Sequence, residues 1–363
     1  MPKSAKHLLI GSTEAYSGKS AAVLGIAQQL KQQGLQIAYA KPLGTCFSDS
    51  EADSVDEDVR FMAQILDLPT SALRPSLFFL NAKTIYQRLQ GHDQVDYAQR
   101  LIEYCQAQGE DLMLLEGPGS LEEGHLFGLS LPQVAEIVKA PILLIARLRS
   151  PLVIDSLLAA KERLGDRLIG VLINDIPPTE YDAATEVIQP FLESRQIPVL
   201  GLLPSNQLLR SVSVGELVHQ LKAEVLCCRD RLDLMVEELT IGAMNVNSAL
   251  KYFRKANNMA VITGGDRTDI QLAALETSTQ CLILTGHFPP SPIILSRAED
   301  LEIPILSVDL DTLTTVEIVD RAFGQVRLHE DIKVQCVHRM MAEHFDIQRL
   351  IDQLDLKSVV SAH

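Results

Sequence analysis

The sequence predicts an α/β fold: a mostly parallel, doubly wound sheet, followed by a second, smaller α/β domain and a C-terminal helix. Three observations predict it. Short apolar runs alternate with amphipathic stretches of helical length, a glycine-containing turn joins the first run to the first helix, and a second alternation begins after residue 205. Apolar runs separated by helices are typical of buried parallel strands.

Composition and charge limit the classes of function. The 363 residues include 32 Lys and Arg against 47 Asp and Glu, a net charge of −15. We therefore expect no nucleic-acid partner and no anionic membrane surface, although a local basic pocket is compatible with this charge. No apolar run reaches about 18 residues and the N-terminal one is too short for a signal peptide, so we expect a cytoplasmic protein. The six cysteines form no Cys-x-x-Cys pair, which favours reduced thiols over a metal site.

The first domain is expected over residues 1–204. Its apolar runs of strand length are 7–11, 36–40, 111–116, 141–147, 168–174 and 198–204. Its periodic stretches of helical length are 18–33, 94–108, 151–164 and 179–194. Because ligands of doubly wound sheets bind beyond the carboxyl ends of the strands, the residues that follow these runs are the candidates for a site.

The second domain is expected over residues 205–325. Its strands are predicted at 259–263, 281–285 and 303–308, and its helices at 213–222, 245–256, 268–277, 292–300 and 312–323. Residues 326–363 form a helical tail, whose apolar residues we expect to pack on a domain or on a partner subunit.

The stretch from Gly11 to Leu30 has the pattern of a phosphate-binding loop. It places Gly18, Lys19 and Ser20 between the first strand and the first helix. Backbone N–H groups of such a turn bind phosphate, the lysine reaches the β/γ-phosphates, and the serine hydroxyl ligates Mg²⁺. The strict pattern is not met, because Thr13 stands where the first glycine belongs.

Four more polar residues stand at strand ends or at a helix start. Lys41 follows the second strand and is either a second cation for an anion or a plain surface lysine. Glu116 ends a buried strand, where a carboxylate can ligate Mg²⁺ directly or through water. Asn174 ends another strand and can pair with an adenine edge. The acidic run 48–58 is typical of a solvated loop, but Asp58, which opens the next helix, is a plausible second magnesium ligand.

These residues, with "PVLGLLP" at 198–204, resemble dethiobiotin synthetase, a P-loop family that uses Mg-ATP to carboxylate a diamine before closing a cyclic urea. The resemblance extends over residues 1–204 and implies ATP and Mg²⁺ as cofactors. The roles it implies are nucleotide contacts for Thr13, Gly18, Lys19, Ser20 and Asn174; magnesium ligation for Ser20, Asp58 and Glu116; and, in a ligase only, catalytic contacts for Lys19, Lys41 and Thr45.

Three features depart from that family. The loop from Gly11 to Lys19 is one residue longer than in that family. When the two loops are aligned at Lys19, Ala15 replaces a hydroxyl residue that helps to hold phosphate. Glu14 stands where related ATPases of the ParA and nitrogenase-iron-protein kind have a signature lysine, which disfavours that class. The nucleotide pocket is therefore better supported than the diamine pocket.

The second domain contains a comparable turn between a strand and a helix. Its glycines permit close approach of backbone, and Thr268 or Asp269 can cap the helix. Arg267 either braces the turn through a carboxylate or binds an anion, and two nearby aspartates favour bracing. The candidate site here comprises Gly264, Gly265, Asp266, Arg267 and Thr268.

This turn and its flanking segments resemble the DRTGG domain, which follows a dethiobiotin-synthetase-like domain in the N-terminal part of long phosphate acetyltransferases. The DRTGG domain also accompanies nucleotide-sensing CBS modules in some pyrophosphatases, where it is linked to dimerisation. The resemblance thus implies a homodimer through this domain. The acetyltransferases carry a further catalytic domain that we do not find in these 363 residues, so we do not expect phosphate acetyltransferase activity from them.

Three functions remain open. The first is a nucleotide-binding regulatory or sensor protein, in which the second domain dimerises or senses a second small-molecule effector and the partner is a metabolic enzyme. The second is an ATP-dependent ligase of the dethiobiotin synthetase or cobyrinate amidation type, and the former is favoured because nothing downstream resembles a glutaminase domain. The third is a non-catalytic scaffold with a decayed loop, against which the presence of Lys19, Ser20 and Glu116 argues.

Overall fold

The computed structural model describes residues 6–44, 56–69, 72–106, 109–324, 328 and 330–356. The chain divides into two compact units. Unit 1 comprises residues 1–205 and 328–363, and unit 2 comprises residues 206–327. In the sequence, unit 2 is therefore inserted before the last segment of unit 1.

Unit 1 is built on a parallel sheet. Its strands are Lys6–Ser12 (β1), Ile37–Ala40 (β2), Leu43–Gly44 (β3), Leu73–Arg74 (β4), Phe78–Phe79 (β5), Leu112–Glu116 (β6), Ile142–Arg147 (β7), Leu168–Ile176 (β8) and Val199–Pro204 (β9). Seven of them lie in the order β4-β2-β6-β1-β7-β8-β9, and β3 pairs with β5. All pairs of the larger sheet are parallel, as the apolar runs predict. Because β1 lies between β6 and β7, the loop after β1 is flanked by the ends of these two strands.

The helices of unit 1 before residue 206 follow the predicted alternation. They are Lys19–Gln32 (α1), Glu57–Ile65 (α2), Ala82–Leu89 (α3), Tyr97–Tyr104 (α4), Leu131–Val138 (α5), Val153–Leu164 (α6), Tyr181–Ala183 (α7) and Gln189–Ser194 (α8). The helix predicted at 94–108 is shorter, because Asp96 accepts a hydrogen bond from the N–H of Gln99 and caps its start. A π-helical turn, Ala184–Ile188, joins α7 to α8. Its wider turn accommodates Pro190, which has no N–H to donate in a regular helix.

Unit 2 is a smaller α/β unit, as predicted. Its strands are Val212–Ser213 (β10), Glu224–Cys227 (β11), Met235–Val236 (β12), Glu238–Ile241 (β13), Met259–Gly264 (β14), Thr279–Thr285 (β15) and Ile305–Val308 (β16). The main sheet has the order β11-β16-β15-β14-β13, in which only β11 is antiparallel. Its helices are Gln207–Arg210 (α9), Val214–Leu221 (α10), Val246–Phe253 (α11), Thr268–Leu275 (α12), Pro292–Asp300 (α13) and Thr312–Gly324 (α14). Successive residues of β14 alternate between two apolar clusters, one on each face of the sheet.

The C-terminal segment folds as two helices, Asp331–His344 (α15) and Ile347–Gln353 (α16), where the sequence predicts one. Phe345 between them is extended and forms a β-bridge with Gly201. The N–H of Asp346 donates to the Leu200 carbonyl at 2.7 Å, and the Asp346 side chain caps α16. The pairing of Phe345 with the edge of β9 therefore breaks the helix.

Both C-terminal helices pack within unit 1. A Cβ at Gly25 in α1 would lie 2.3 Å from the Met341 side chain, so the glycine lets α15 approach closely. The Arg349 guanidinium donates to both carboxylate oxygens of Glu193, at 2.7 and 2.9 Å. No helix in the described ranges is long and apolar enough to cross a membrane.

Candidate functional site

The loop between β1 and α1 leaves the helix N-terminus open. Gly18 has φ 89°, in the left-handed region, and directly precedes α1. Within the part of the chain that the structure describes, no side chain caps this end of α1, and the first turn of the helix contains no acidic residue. The first N–H groups of a helix have no intrahelical acceptor, and the helix dipole makes this end positive. The start of α1 is therefore suited to an anion.

Glu116 brings the predicted phosphate and magnesium residues together. Its side chain, 1% exposed, ends β6 beside the start of α1. The Ser20 hydroxyl donates to Oε1 at 2.8 Å, and Lys19 Nζ lies 3.4 Å from the same oxygen. The Tyr39 hydroxyl donates to the other oxygen, Oε2, at 2.7 Å. Burial, followed by the charge of Glu116, raises the pKa of Tyr39 well above its ordinary value, so the phenol remains a donor.

Lys41 is a buried cation held by two carboxylates. Its ammonium group donates to Asp56 Oδ1 at 3.0 Å and to Asp58 Oδ2 at 2.5 Å. Burial acts to lower the pKa of Lys41, but the carboxylates of Glu116, Asp58 and Asp56 outweigh it and raise the pKa above its ordinary value. Asp56 also caps α2 by accepting from the N–H of Asp58. Lys41 is thus not a plain surface lysine.

Side chains from the ends of β7 and β8 hold the backbone of the loop. Asn174 Nδ2 donates to the carbonyl of Ser17 at 2.9 Å. Arg147 donates to the carbonyl of Tyr16 at 3.3 Å and, through two nitrogens, to Asp175 Oδ2 at 2.7 and 3.2 Å. The amide nitrogen of Asn174, expected to meet a base, is therefore directed at the loop.

Thr13 and Thr45 are the remaining residues that the sequence predicts for the unit 1 site. The N–H of Thr13 donates to the carbonyl of Ile145 at 3.1 Å, which ties the start of the loop to β7. Thr45 lies outside the described residues. The Ser17 hydroxyl, two residues after Ala15 in the loop, is buried and has no hydrogen-bond partner among the described residues.

The oxygen atoms at this site fit a magnesium ion that also binds phosphate. Ser20 and Glu116 offer hydroxyl and carboxylate oxygens, which Mg²⁺ prefers. Within the described ranges, no group of three or more His, Cys, Asp and Glu side chains is arranged to hold a metal ion by itself. Mg²⁺ commonly keeps waters and takes phosphate oxygens as further ligands, so an incomplete protein shell is typical for it. Asp58 contacts Lys41, which competes with a metal for that carboxylate.

The glycine turn of unit 2 is occupied by its own side chains. Arg267 donates to Asp269 Oδ1 at 3.3 Å and to the Met244 carbonyl at 2.9 Å, a bracing arrangement. Gln271, fully buried, donates through Nε2 to the carbonyls of Gly264 and Gly265 at 2.9 and 3.0 Å. Asp266 folds over the turn, with Oδ1 2.6 Å from where a Gly264 Cβ would lie, and Thr268 is the first residue of α12.

Sequence reasoning missed four residues of the unit 1 site, namely Tyr39, Asp56, Arg147 and Asp175. Tyr39 has a weak signal, since it is the one polar side chain of the run "IAYA" before Lys41. Asp56 is hidden in the acidic run, although Asp two residues before Asp58 is a capping pattern. The pairing of Arg147 with Asp175 joins two strands and has no local signal.

Comparisons with known proteins agree with this architecture. A family model described as an AAA domain matches residues 6–213, and one described as a DRTGG domain matches residues 216–322. The chain is 28% identical over 368 residues to phosphate acetyltransferase of Synechocystis sp., covering 96% of this chain and 51% of that protein. It is 27% identical over 233 residues to cobyric acid synthase of Listeria monocytogenes, covering 55% of this chain and 44% of that protein. The chain thus spans about half the length of the curated relatives it matches.

Among solved structures, the chain is similar to the CBS and DRTGG domains of the regulatory region of Clostridium perfringens pyrophosphatase, complexed with the activator diadenosine tetraphosphate. The identity is 21%, the TM-score is 0.29, and the match covers 47% of this chain and 85% of that one. A TM-score this low does not establish a shared overall structure.

Proposed function

The chain belongs to the AAA domain family and carries a DRTGG domain after the AAA domain, and we propose that it is a regulatory protein whose unit 1 binds Mg-ATP. One observation carries the proposal: the buried Glu116 carboxylate accepts a hydrogen bond from the Ser20 hydroxyl at the start of α1. The contact places the proposed magnesium carboxylate, Glu116, next to Ser20, which directly follows the proposed phosphate ligand, Lys19.

Different residues of unit 1 contact the phosphates, hold magnesium and position the loop. Gly18 and the first turn of α1 face the phosphates with backbone N–H groups, and Lys19 neutralises them. Ser20 and Glu116 would hold Mg²⁺, which would neutralise phosphate charge when bound. Lys19 leaves Glu116 for the phosphate, since phosphate carries more negative charge than the carboxylate. Arg147 and Asn174 keep the loop backbone in place.

The regulatory part of the proposal rests on the relatives. The chain matches about half the length of phosphate acetyltransferases and carries a DRTGG domain. We assign it a role in controlling a metabolic enzyme partner, with a homodimer formed through unit 2 and a second small-molecule effector bound there. The differential affinity of nucleotide for two arrangements of the protein carries the signal.

Calorimetric titration with Mg-ATP tests the proposal. Wild-type protein is expected to bind saturably, and Lys19→Ala to lose about 10- to 100-fold in affinity, because hydrogen bonds to charged groups contribute about 1.5–3 kcal/mol. Lys31→Ala is the matched control, since Lys31 lies in the last turn of the same helix and should bind as wild type. Absence of saturable binding by wild type would refute the proposal.

A second candidate is an ATP-dependent ligase, and the buried Lys41 is the observation that favours it. A cation next to the predicted magnesium residues can neutralise charge on a transferred phosphoryl group. Phosphate release that starts only with a diamine and bicarbonate, and is lost in Lys41→Met, would support the ligase. Binding without release under any of these conditions supports the regulatory protein.

A further inference from the structure

We infer that Tyr39 is a positioning residue for magnesium, whose hydroxyl holds Glu116 so that the other carboxylate oxygen faces Ser20 and Lys19. The inference rests on the proposed binding of Mg-ATP by unit 1. It concerns a residue of the central sheet, two positions before Lys41, that lies outside the phosphate loop.

The register of the sheet explains why this tyrosine reaches Glu116. Tyr39 in β2 pairs with Leu114 in β6, and Glu116 lies two residues farther along β6 on the same face. Two residues of a strand span about 6.6 Å, which a tyrosine ring and hydroxyl extended along the sheet can cover. The observed distance of 2.7 Å between the hydroxyl and Oε2 agrees with this geometry.

The contact fixes a torsion that is otherwise soft. The terminal torsion of a glutamate is broad, so its carboxylate turns freely unless both oxygens have donors. At Glu116, Ser20 and Lys19 approach Oε1, and the Tyr39 hydroxyl donates to Oε2. Without the phenol, a fully buried carboxylate oxygen is left without this donor, and Glu116 turns toward the neighbouring ammonium groups.

The substitution Tyr39→Phe removes only the hydroxyl. The measurement is the magnesium gain, defined as the ratio of the dissociation constants of ATP in EDTA and in excess Mg²⁺, obtained by calorimetry. We expect the gain to fall at least about fivefold in Tyr39→Phe, while the affinity for ATP in EDTA stays within about twofold of wild type. Loss of packing alone would lower both affinities together.

Tyr97→Phe is the matched control, because Tyr97 is also buried in unit 1 but donates to Asp93 at 3.2 Å. Its magnesium gain should equal that of wild type. A double-mutant cycle adds a second measurement: in a Glu116→Gln background, Tyr39→Phe should not change the gain further, since the tyrosine acts through the glutamate.

The outcomes separate the two proposals. An unchanged gain in Tyr39→Phe, an equal loss in Tyr97→Phe, or a further loss in the Glu116→Gln background would overturn the role of Tyr39 and leave Mg-ATP binding intact. Failure of wild type to bind ATP would instead remove the proposed function itself.

Discussion

The two glycine turns of this chain, one in each unit, look alike in sequence and differ in how their polar groups are used. In unit 1 the first turn of the helix after Gly18 contains no acidic residue. In unit 2 the helix after the turn has Asp269 in its first turn. Arg267 donates hydrogen bonds to Asp269 and to the Met244 carbonyl. Gln271 donates to the carbonyls of the two glycines of the turn.

The proposed function assigns nucleotide binding to the first turn and a structural role to the second. A strand, a glycine turn and a helix give the same backbone elements in both units, so the pattern alone does not mark a ligand site. Neither helix has a side-chain cap, and each turn has one buried polar atom without a hydrogen-bond partner among the described residues, Ser17 Oγ in unit 1 and Gln271 Oε1 in unit 2. What differs is that Lys19, Ser20 and Glu116 meet at the start of the unit 1 helix, whereas Arg267 and Gln271 of unit 2 donate to a neighbouring carboxylate and to backbone carbonyls. We therefore expect substitutions at the unit 2 turn to change stability and leave nucleotide affinity unchanged.

The largest effect is expected for Gly265→Ala. A Cβ at Gly265 would lie 2.2 Å from the backbone carbonyl of Phe288, which cannot move as a side chain would. Overpacking of this kind should cost about 3 kcal/mol of the stability of unit 2. Hydrogen exchange of the β14 and β15 amides under native conditions would report the loss.

Gly215→Ala is its matched control, because a Cβ there meets its nearest atom at an ordinary 3.4 Å. Its cost should be near zero. A loss of Mg-ATP affinity in Gly265→Ala, without one in Gly215→Ala, would contradict the division between the two turns.

An intermediate effect is expected for Gln271→Leu. The leucine keeps the volume but removes the Nε2 donor from two buried carbonyls, which should cost about 1.5 kcal/mol. Urea unfolding followed by the same amides measures it. Gln220→Leu removes an exposed contact with Glu216 and should cost less than about 0.5 kcal/mol; equal costs in the two variants would show that Gln271 does not brace the turn.

Local patterns predict the strands and most helices because burial on both faces leaves long apolar runs, as in β1, β6 and β7. Glu116 could be predicted because it ends such a run, and Lys19 and Ser20 because they follow the glycine turn between β1 and α1. Tyr39 and the pair of Arg147 with Asp175 could not, since their partners come from other strands and depend on register. The break at Phe345 likewise depends on a pairing with Gly201, which is 144 residues away in the sequence.

The smallest effect, and the finest test of the comparison, is expected for Arg267→Lys. The hydrogen bond from Arg267 lowers the pKa of Asp269 below its ordinary 3.8, so the pair stabilises the fold above that pH and the contribution is lost as the pH falls through the lower, folded value. Lysine lacks the planar fork that reaches both Asp269 and the Met244 carbonyl, so the pKa of Asp269 should rise toward 3.8. Because the pair is partly exposed and solvent screens it, stability near neutral pH should fall by only about 0.5 kcal/mol. Carboxyl NMR titration measures the pKa, with Asp311, held low by the N–H of Thr314, as the internal reference. An Asp269 pKa that stays unchanged while added phosphate shifts the Arg267 resonances of wild type would mean that this arginine binds an anion after all, and the two turns would then share a function.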